Sequence, residues 1–185
     1  NIPGAITTGA LPLRNGANGL RLQGENMLVG IWDFGRVNHH IEFDDRILSR
    51  QGDVEQTHAA HVTGTILAQG INPAAQGMAP RAMAHTWDFF DDDAEMGSMV
   101  TGDQTSLLFS NHSYGSLVGW YYSGGWKWSG DPAISETEDY AFGFYGDRAA
   151  TLDQLAALAP YYTIVWAAGN DRAEAGDGTR PRDGN

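Results

Sequence analysis

The chain contains no cysteine, which excludes disulfides, thiolate nucleophiles and cysteine-ligated zinc. Basic residues are scarce. Only 11 Lys and Arg stand against 23 Asp and Glu, a formal net charge of -12. So acidic a chain repels phosphate backbones and anionic headgroups, which argues against nucleic acid and membrane as partners. No run approaches the ~18 consecutive apolar residues of a membrane span. Residues 1–19 lack the basic start and apolar stretch of a signal peptide. Hydrophobic content is not lacking: 42% of 185 residues is enough for one sizeable core. Glycine, at 24, is abundant and indicates many tight loops.

The order of segments gives the fold class. Residues 1–26 are rich in Gly and Asn and read as an irregular N-terminal arm. Met27 to Trp32 is a short apolar run that predicts a buried strand, closed by Asp33-Phe34-Gly35. Thr57 to Gln69 carries small and apolar residues at helical spacing, with Thr57 as N-cap and Gly70 as stop. A second strand is predicted over Met83 to Phe89, a short helix over Asp92 to Thr101 and a strand over Leu107 to Ser110. "RAATLDQLAALAP" predicts an amphipathic helix stopped by Pro160, and Tyr161 to Ala168 a further strand. Strands alternating with helices imply an α/β fold with a mainly parallel sheet. Chemistry on such a sheet lies at the strands' carboxyl ends, where Asp33, Ser113 and Asn170 fall. An aromatic-rich stretch at about 116–146, including "GWYYSGGWKWSG", shows no clear period and reads as an insertion.

His58 and His61, three apart in "EQTHAAHVTGTI", share one side of the predicted helix. As a metal pair they need further ligands, for which His39, His40 and Glu42 are candidates, but Ala59 stands where a helix-borne HExxH places its glutamate. As a catalytic base, a histidine at a positive helix N-terminus needs a carboxylate to fix its tautomer and stabilise the imidazolium. Asp33, at a strand end in an apolar setting, is the natural partner; alone it is equally a turn or cap residue.

"GIWDFGRVNHHIEF", "THAAHVTGT", "GMAP", "SNHSYG" and "VWAAGND" follow one another across most of Met27 to Asp171. In order, type and approximate spacing this set resembles the sequential motifs of the subtilisin-like serine peptidases (subtilases), secreted bacterial members in particular. The resemblance implies a three-layer fold with a mainly parallel central sheet, here incomplete, and an N-terminal part of a peptidase domain over residues 27–185. It implies Asp33 and His58 as triad members, and Asn170 as the side-chain donor to the oxyanion. Loss of that donor costs about 10²–10³ in kcat, a range found for a member of this family. Ser113, Tyr114 and Gly115 match the segment that pairs with extended substrate, and Ala167, Ala168 and Gly169 the opposite wall of the specificity pocket. On this reading His58 is the base and His61 a buried structural neighbour, with small Ala59, Ala60 and Gly64 letting the helix approach the sheet. Ala59-Ala60 replace the family's Gly-Thr and Thr63 its Ala, changes that keep the side chains small.

The larger departure is the nucleophile. The family carries G-T-S-x-A far beyond A-A-G-N, and no such motif stands here; the last serine is Ser135. Ser106, Ser110, Ser113 and Ser116 lie where the pattern assigns other roles. The polar end "GDGTRPRDGN" reads as an exposed loop. The expectation is therefore a serine endopeptidase of peptide or protein substrates, whose serine comes from a C-terminal fragment of the same precursor or another chain. Catalysis of this kind requires no cofactor or metal; a structural calcium is compatible with the acidic surface, for example at Asp91-Asp92-Asp93, which equally reads as a solvated helix start. The competing readings are a non-catalytic peptide- or glycan-binding module that uses the aromatic stretch and a metal-dependent hydrolase that uses the histidines. His85 and His112 read as structural, with His112 shaping the substrate segment that follows it.

Overall fold

The computed structural model of the chain describes residues 1–102, 107–171 and 174–180. Ser106 and residues 181–185 of the polar end lie outside them. The chain divides into two compact units, one of Asn1–Ser113 with Leu155–Trp166 and the other of Tyr114–Gln154 with Ala167–Asn185.

Residues 1–26, expected to be an irregular arm, instead form two short helices in the first unit, α1 (Ile2–Thr7) and α2 (Ala10–Arg14). Pro3 suits the first turn of α1, while Gly9 and Gly16, both at positive φ, supply the bends that the Gly-rich composition had suggested. Ala5 and Arg14 are buried. The chain continues through β1 (Leu28–Asp33), β2 (Arg36–Val37), β3 (Ile47–Ser49), β4 (Glu55–Gln56) and α3 (Thr57–Leu67). There follow β5 (Met83–Asp88), α4 (Asp92–Thr101) and β6 (Phe109–His112).

The second unit begins with β7 (Trp120–Tyr122) and β8 (Trp126–Trp128). The helix α5 (Asp147–Leu158) then leads back to β9 (Thr163–Trp166), which belongs to the first unit.

Five strands form one wholly parallel sheet in the order β3-β5-β1-β6-β9. Ile31 and Trp32 of central β1 are both fully buried although they point to opposite faces, as a parallel strand covered on two sides requires. On one face Ile31 joins Ala84, Phe43, and Ala59 and Leu67 of α3. On the other, the Trp32 indole donates to Glu95 Oε2 of α4 at 2.8 Å. Helix, sheet and helix make the three-layer α/β arrangement. Trp32 also centres an in-register ladder of flat rings. It stacks on Trp87 at 4.3 Å and on His112 at 5.2 Å, and His112 stacks on Trp166 at 4.3 Å. Four adjacent strands thus contribute one ring each, and buried His112 packs within the ladder. Burial raises the pKa of Glu95 and the carboxylates of Asp88, Asp91 and Asp92 add to this, against the lowering effect of the indole donor. Burial, with Arg50 beside it, lowers that of His85.

Element boundaries moved by one to three residues. β6 runs Phe109–His112 and not Leu107–Ser110, because pairing with β1 sets Trp32 opposite His112. β9 is confined to Thr163–Trp166, where β6 pairs with it. Gln56, not Thr57, is the N-cap of α3 and makes no side-chain cap bond. The helix stops at Leu67, before Gly70, where Gly77 N–H bonds Ala68 C=O and Met78 N–H bonds Thr65 C=O. Among the described residues β9 has no neighbour beyond β6, and its Val165 is 52% exposed.

In the second unit the stretch at about 116–146 contains an antiparallel hairpin, β7 against β8, where the sequence had suggested no period. Trp120 pairs with Trp128 and Tyr122 with Trp126, with ring centroids 5.3 and 5.5 Å apart. Ser123-Gly124-Gly125 makes the turn, with positive φ at both glycines. Buried Asp139 anchors the unit by accepting from Gly119 N–H at 2.8 Å and Ala141 N–H at 2.9 Å.

Behind α3, buried Glu42 holds the following loop. Its carboxylate accepts from the N–H groups of Gly70, Ile71 and Asn72 at 2.6, 3.0 and 2.8 Å. Burial alone pushes this carboxyl up, but the three donors and His40 outweigh it and the pKa ends below the ordinary glutamate value. A carboxyl lowered in the folded state adds stability above its unfolded pKa of about 4.3 and loses it as the pH falls through the folded value. Glu42→Gln is expected to cost about 1–3 kcal/mol at pH 7 and to flatten the acid-side loss of stability below about pH 4.3. Urea denaturation of both proteins from pH 7 to 3 measures this; parallel curves would mean that Glu42 does not carry the effect.

Candidate active site

The Asp33 carboxylate ends β1 and is 2% exposed. Its Oδ1 accepts from the Phe34 N–H at 2.7 Å and lies 2.6 Å from His58 Nδ1. Two short elements create this approach. After Asp33 the chain turns at Gly35, with φ +72, into β2. Parallel β2 and β4 then pair Arg36 with Glu55 and Val37 with Gln56, and Arg36 Nη2 meets Glu55 Oε1 at 3.1 Å. β4 ends one residue before α3 begins, so its pairing delivers the first turn of the helix, and His58, to the end of β1. A side chain at Gly35 has no room: a Cβ there would lie 2.6 Å from both the Val54 carbonyl oxygen and Gln56 Cγ.

The two partners differ in exposure. The Asp33 side chain is 3% exposed and that of His58 60%. With Nδ1 directed at the carboxylate, His58 presents Nε2 outward as a proton acceptor, the tautomer a general base needs. His61 differs from expectation. It is exposed, not buried, because the row Ala59, Thr63 and Leu67 turns to the sheet and leaves both histidines on the opposite side. His61 lines a cavity of about 460 Å³ with His40, Glu42, Ala60 and Gly64. Ala59 packs on the sheet as expected, whereas Gly64 faces the Phe43 ring, 3.8 Å from where a Cβ would stand.

The remaining candidates leave the carboxyl ends of β6 and β9. Ser113 follows His112 directly, and its Oγ accepts from Asn111 Nδ2 at 2.9 Å. Tyr114 is half-buried and Gly115 exposed. In the second unit Ala167, Ala168, Gly169 and Asn170 are all exposed, and Gly169 turns at φ +100 before Asn170. The structure thus brings Asp33 and His58 into contact. It places Ser113 at a strand end of their unit, and Tyr114, Gly115 and Ala167 to Asn170 within the other unit.

Among the described residues no three His, Asp or Glu side chains gather as a metal site requires. The His39, His40 and Glu42 ligand idea meets the use of Glu42 as a backbone clamp. Among the same residues no helix is long and apolar enough to cross a membrane. What the sequence reading overlooked is Phe34, which stacks with Phe89 at 5.6 Å beside the Asp33–His58 pair; the repeated Asp-Phe of "WDFG" and "WDFF" was the signal for it.

Among known families, the model of the subtilase family matches residues 24–183. A search of curated proteins finds no match.

Gly35→Ala combines a strained positive φ, worth about 1–3 kcal/mol, with contact against Val54 and Gln56. The variant is expected to lose at least that stability and to separate His58 from Asp33. Denaturation midpoints and the NMR signal of the His58 Nδ1 proton report the two effects; retention of both at wild-type values would mean that the β2–β4 clamp does not set the site.

Proposed function

The chain belongs to the subtilase family, a family of serine peptidases, and on that premise we propose that it is the N-terminal part of a secreted endopeptidase. The observation that carries this is the 2.6 Å contact between Asp33 and His58. In the proposed mechanism His58 Nε2 removes the proton from a serine hydroxyl as that oxygen attacks the scissile carbonyl. Asp33 holds the ring and stabilises the imidazolium that forms. The same histidine returns the proton to the leaving amine, and water then releases the acyl group by the reverse sequence. Asn170 donates its side-chain amide to the oxyanion, Ser113 to Gly115 pair with the extended substrate, and Ala167 to Gly169 form a wall of its pocket. These roles come from the family pattern.

The serine is proposed to come from a C-terminal segment of the same precursor or a second chain. Two features favour that source: the absence of G-T-S-x-A from the sequence, and β9. Among the described residues β9 has no strand on its outer edge, and with Val165 52% exposed and Tyr161 85% exposed just before it, that edge suits a further parallel strand. No cofactor takes part in these steps. The binding-module alternative would instead use exposed rings of the second unit, Tyr122, Trp126 and Phe144 among them.

A fluorophosphonate probe on the full-length protein tests the reading. Label on a serine outside residues 1–185, abolished when the protein is denatured before the probe is added, is expected; absence of label together with absence of peptide cleavage would favour the binding module. His58→Ala is expected to lower kcat by about 10⁶ and Asn170→Ala by about 10²–10³ with KM little changed, ranges drawn from this family. An Asn170→Ala effect confined to KM would assign that amide to ground-state binding.

A further inference from the structure

Phe34 and Phe89 stand one residue beyond Asp33 and Asp88, which are register partners on neighbouring β1 and β5. Each strand end is held by its aspartate: Asp33 Oδ1 accepts from the N–H of the next residue, Phe34, at 2.7 Å, and Asp88 Oδ1 from the N–H two residues on, Phe90, at 3.2 Å. The rings run together, Phe34 to Phe89 at 5.6 Å and Phe89 to Phe90 at 5.1 Å. One residue before each aspartate, Trp32 and Trp87 stack on each other and are buried, whereas the phenylalanines beyond them reach the surface. Phe34 is 49% exposed and Phe90 70% exposed. Two large rings therefore face solvent at one end of the sheet, next to the carboxylate that orients His58. Of the nearby carboxylates, Asp88 accepts from the Phe90 N–H and Glu95 from the Trp32 indole, while Asp91 beside Phe90 is exposed; the rings supply the carbon surface of the patch and the carboxylates lie around it.

We propose that Phe34 and Phe90, joined through Phe89, form an apolar subsite that receives a large hydrophobic side chain of the peptide substrate close to the scissile bond. The assignment rests on the peptidase reading. An apolar side chain laid on these rings leaves water on both sides of the contact, whereas a small or charged one gains little or loses hydration. The patch thereby selects bulky apolar residues at one position, and Phe34 and Phe90 are its specificity-determining residues.

The test uses the full-length protein and peptides varied singly around one cleavage site. At one position near the bond Leu, Met or Phe should exceed Ala in kcat/KM by about ten- to a hundredfold. In the double variant Phe34→Ser, Phe90→Ser that ratio should approach one, while Phe34→Leu, Phe90→Leu should keep most of it. A melting curve accompanies each variant. Should the double variant not melt cooperatively, Phe90→Ser alone, at the more exposed position, supplies the comparison. A folded Ser variant with the wild-type ratio overturns the subsite. So does a wild-type preference for Lys or Arg at that position, which would assign selection to Asp88 and Asp91. Fluorophosphonate labelling with no preference at any position overturns the subsite and leaves the peptidase reading standing. Absence of both labelling and cleavage overturns the two together.

Discussion

Strand β1 is hydrogen-bonded in parallel register to β5 on one edge and β6 on the other, and it is covered on both faces. Its side chains therefore have no choice of environment. Ile31 must fit the α3 layer, Trp32 the α4 layer, and Asp33 the rim where the sheet ends. Parallel register carries this constraint sideways, since Trp32 opposes Trp87 and His112, and His112 opposes Trp166. A one-residue slip of any strand would break the ring ladder and invert its faces at once. The position of Asp33 is thus a consequence of packing across the first unit, and the β2–β4 clamp converts that fixed point into a fixed partner for His58.

How much of this could be read beforehand follows from the same physics. Strands β1 and β5, covered on both faces, appear as apolar runs and were visible in the sequence; β9 was visible as an apolar run too, although it lies at the sheet edge with Val165 exposed, and the ends of all three depended on register with a neighbour. Helix α4 was legible to the residue, its opening acids being a local signal. Failures came where the signal is not local. Two short helices in residues 1–26 owe their stability to docking, as buried Ala5 and Arg14 indicate, and not to propensity. The hairpin "WYYSGGWKW" was hidden because its strands are three residues each and aromatic residues fill both faces of β7, so the one alternation, Trp-Lys-Trp in β8, is too short to read as a period.

The site was legible in a different way. Motif order identified Asp33 and His58, but neither periodicity nor spacing could place them in contact, because β2 and β4 are two residues each and leave no pattern. His61 was misread for a definable reason: at helical spacing the sheet takes positions 59, 63 and 67, and residues 58 and 61 are both rejected from that row. His61 was assigned to the buried side with its small neighbours, while the fully buried positions of the helix form the single row Ala59, Thr63 and Leu67. Glu42 was proposed as a metal ligand because a carboxylate near histidines looks like one, yet backbone N–H groups satisfy it as fully as a cation would.

The Asp33 carboxylate shows how folding and the proposed chemistry share one group. Oδ1 takes both the Phe34 N–H and the imidazole, while among the described residues Oδ2 is buried with no hydrogen-bond donor. A buried carboxylate with several donors would have its charge largely consumed by them. Here most of the charge is directed at His58, where an imidazolium must be stabilised in the proposed step. The arrangement costs desolvation free energy that no local hydrogen bond fully offsets, and it persists because β1 cannot shift without losing its pairing on two edges. Rigidity of the central strand and availability of the carboxylate charge are therefore the same property. In the proposed step a serine would meet a histidine whose ring orientation the sheet has already set through Asp33.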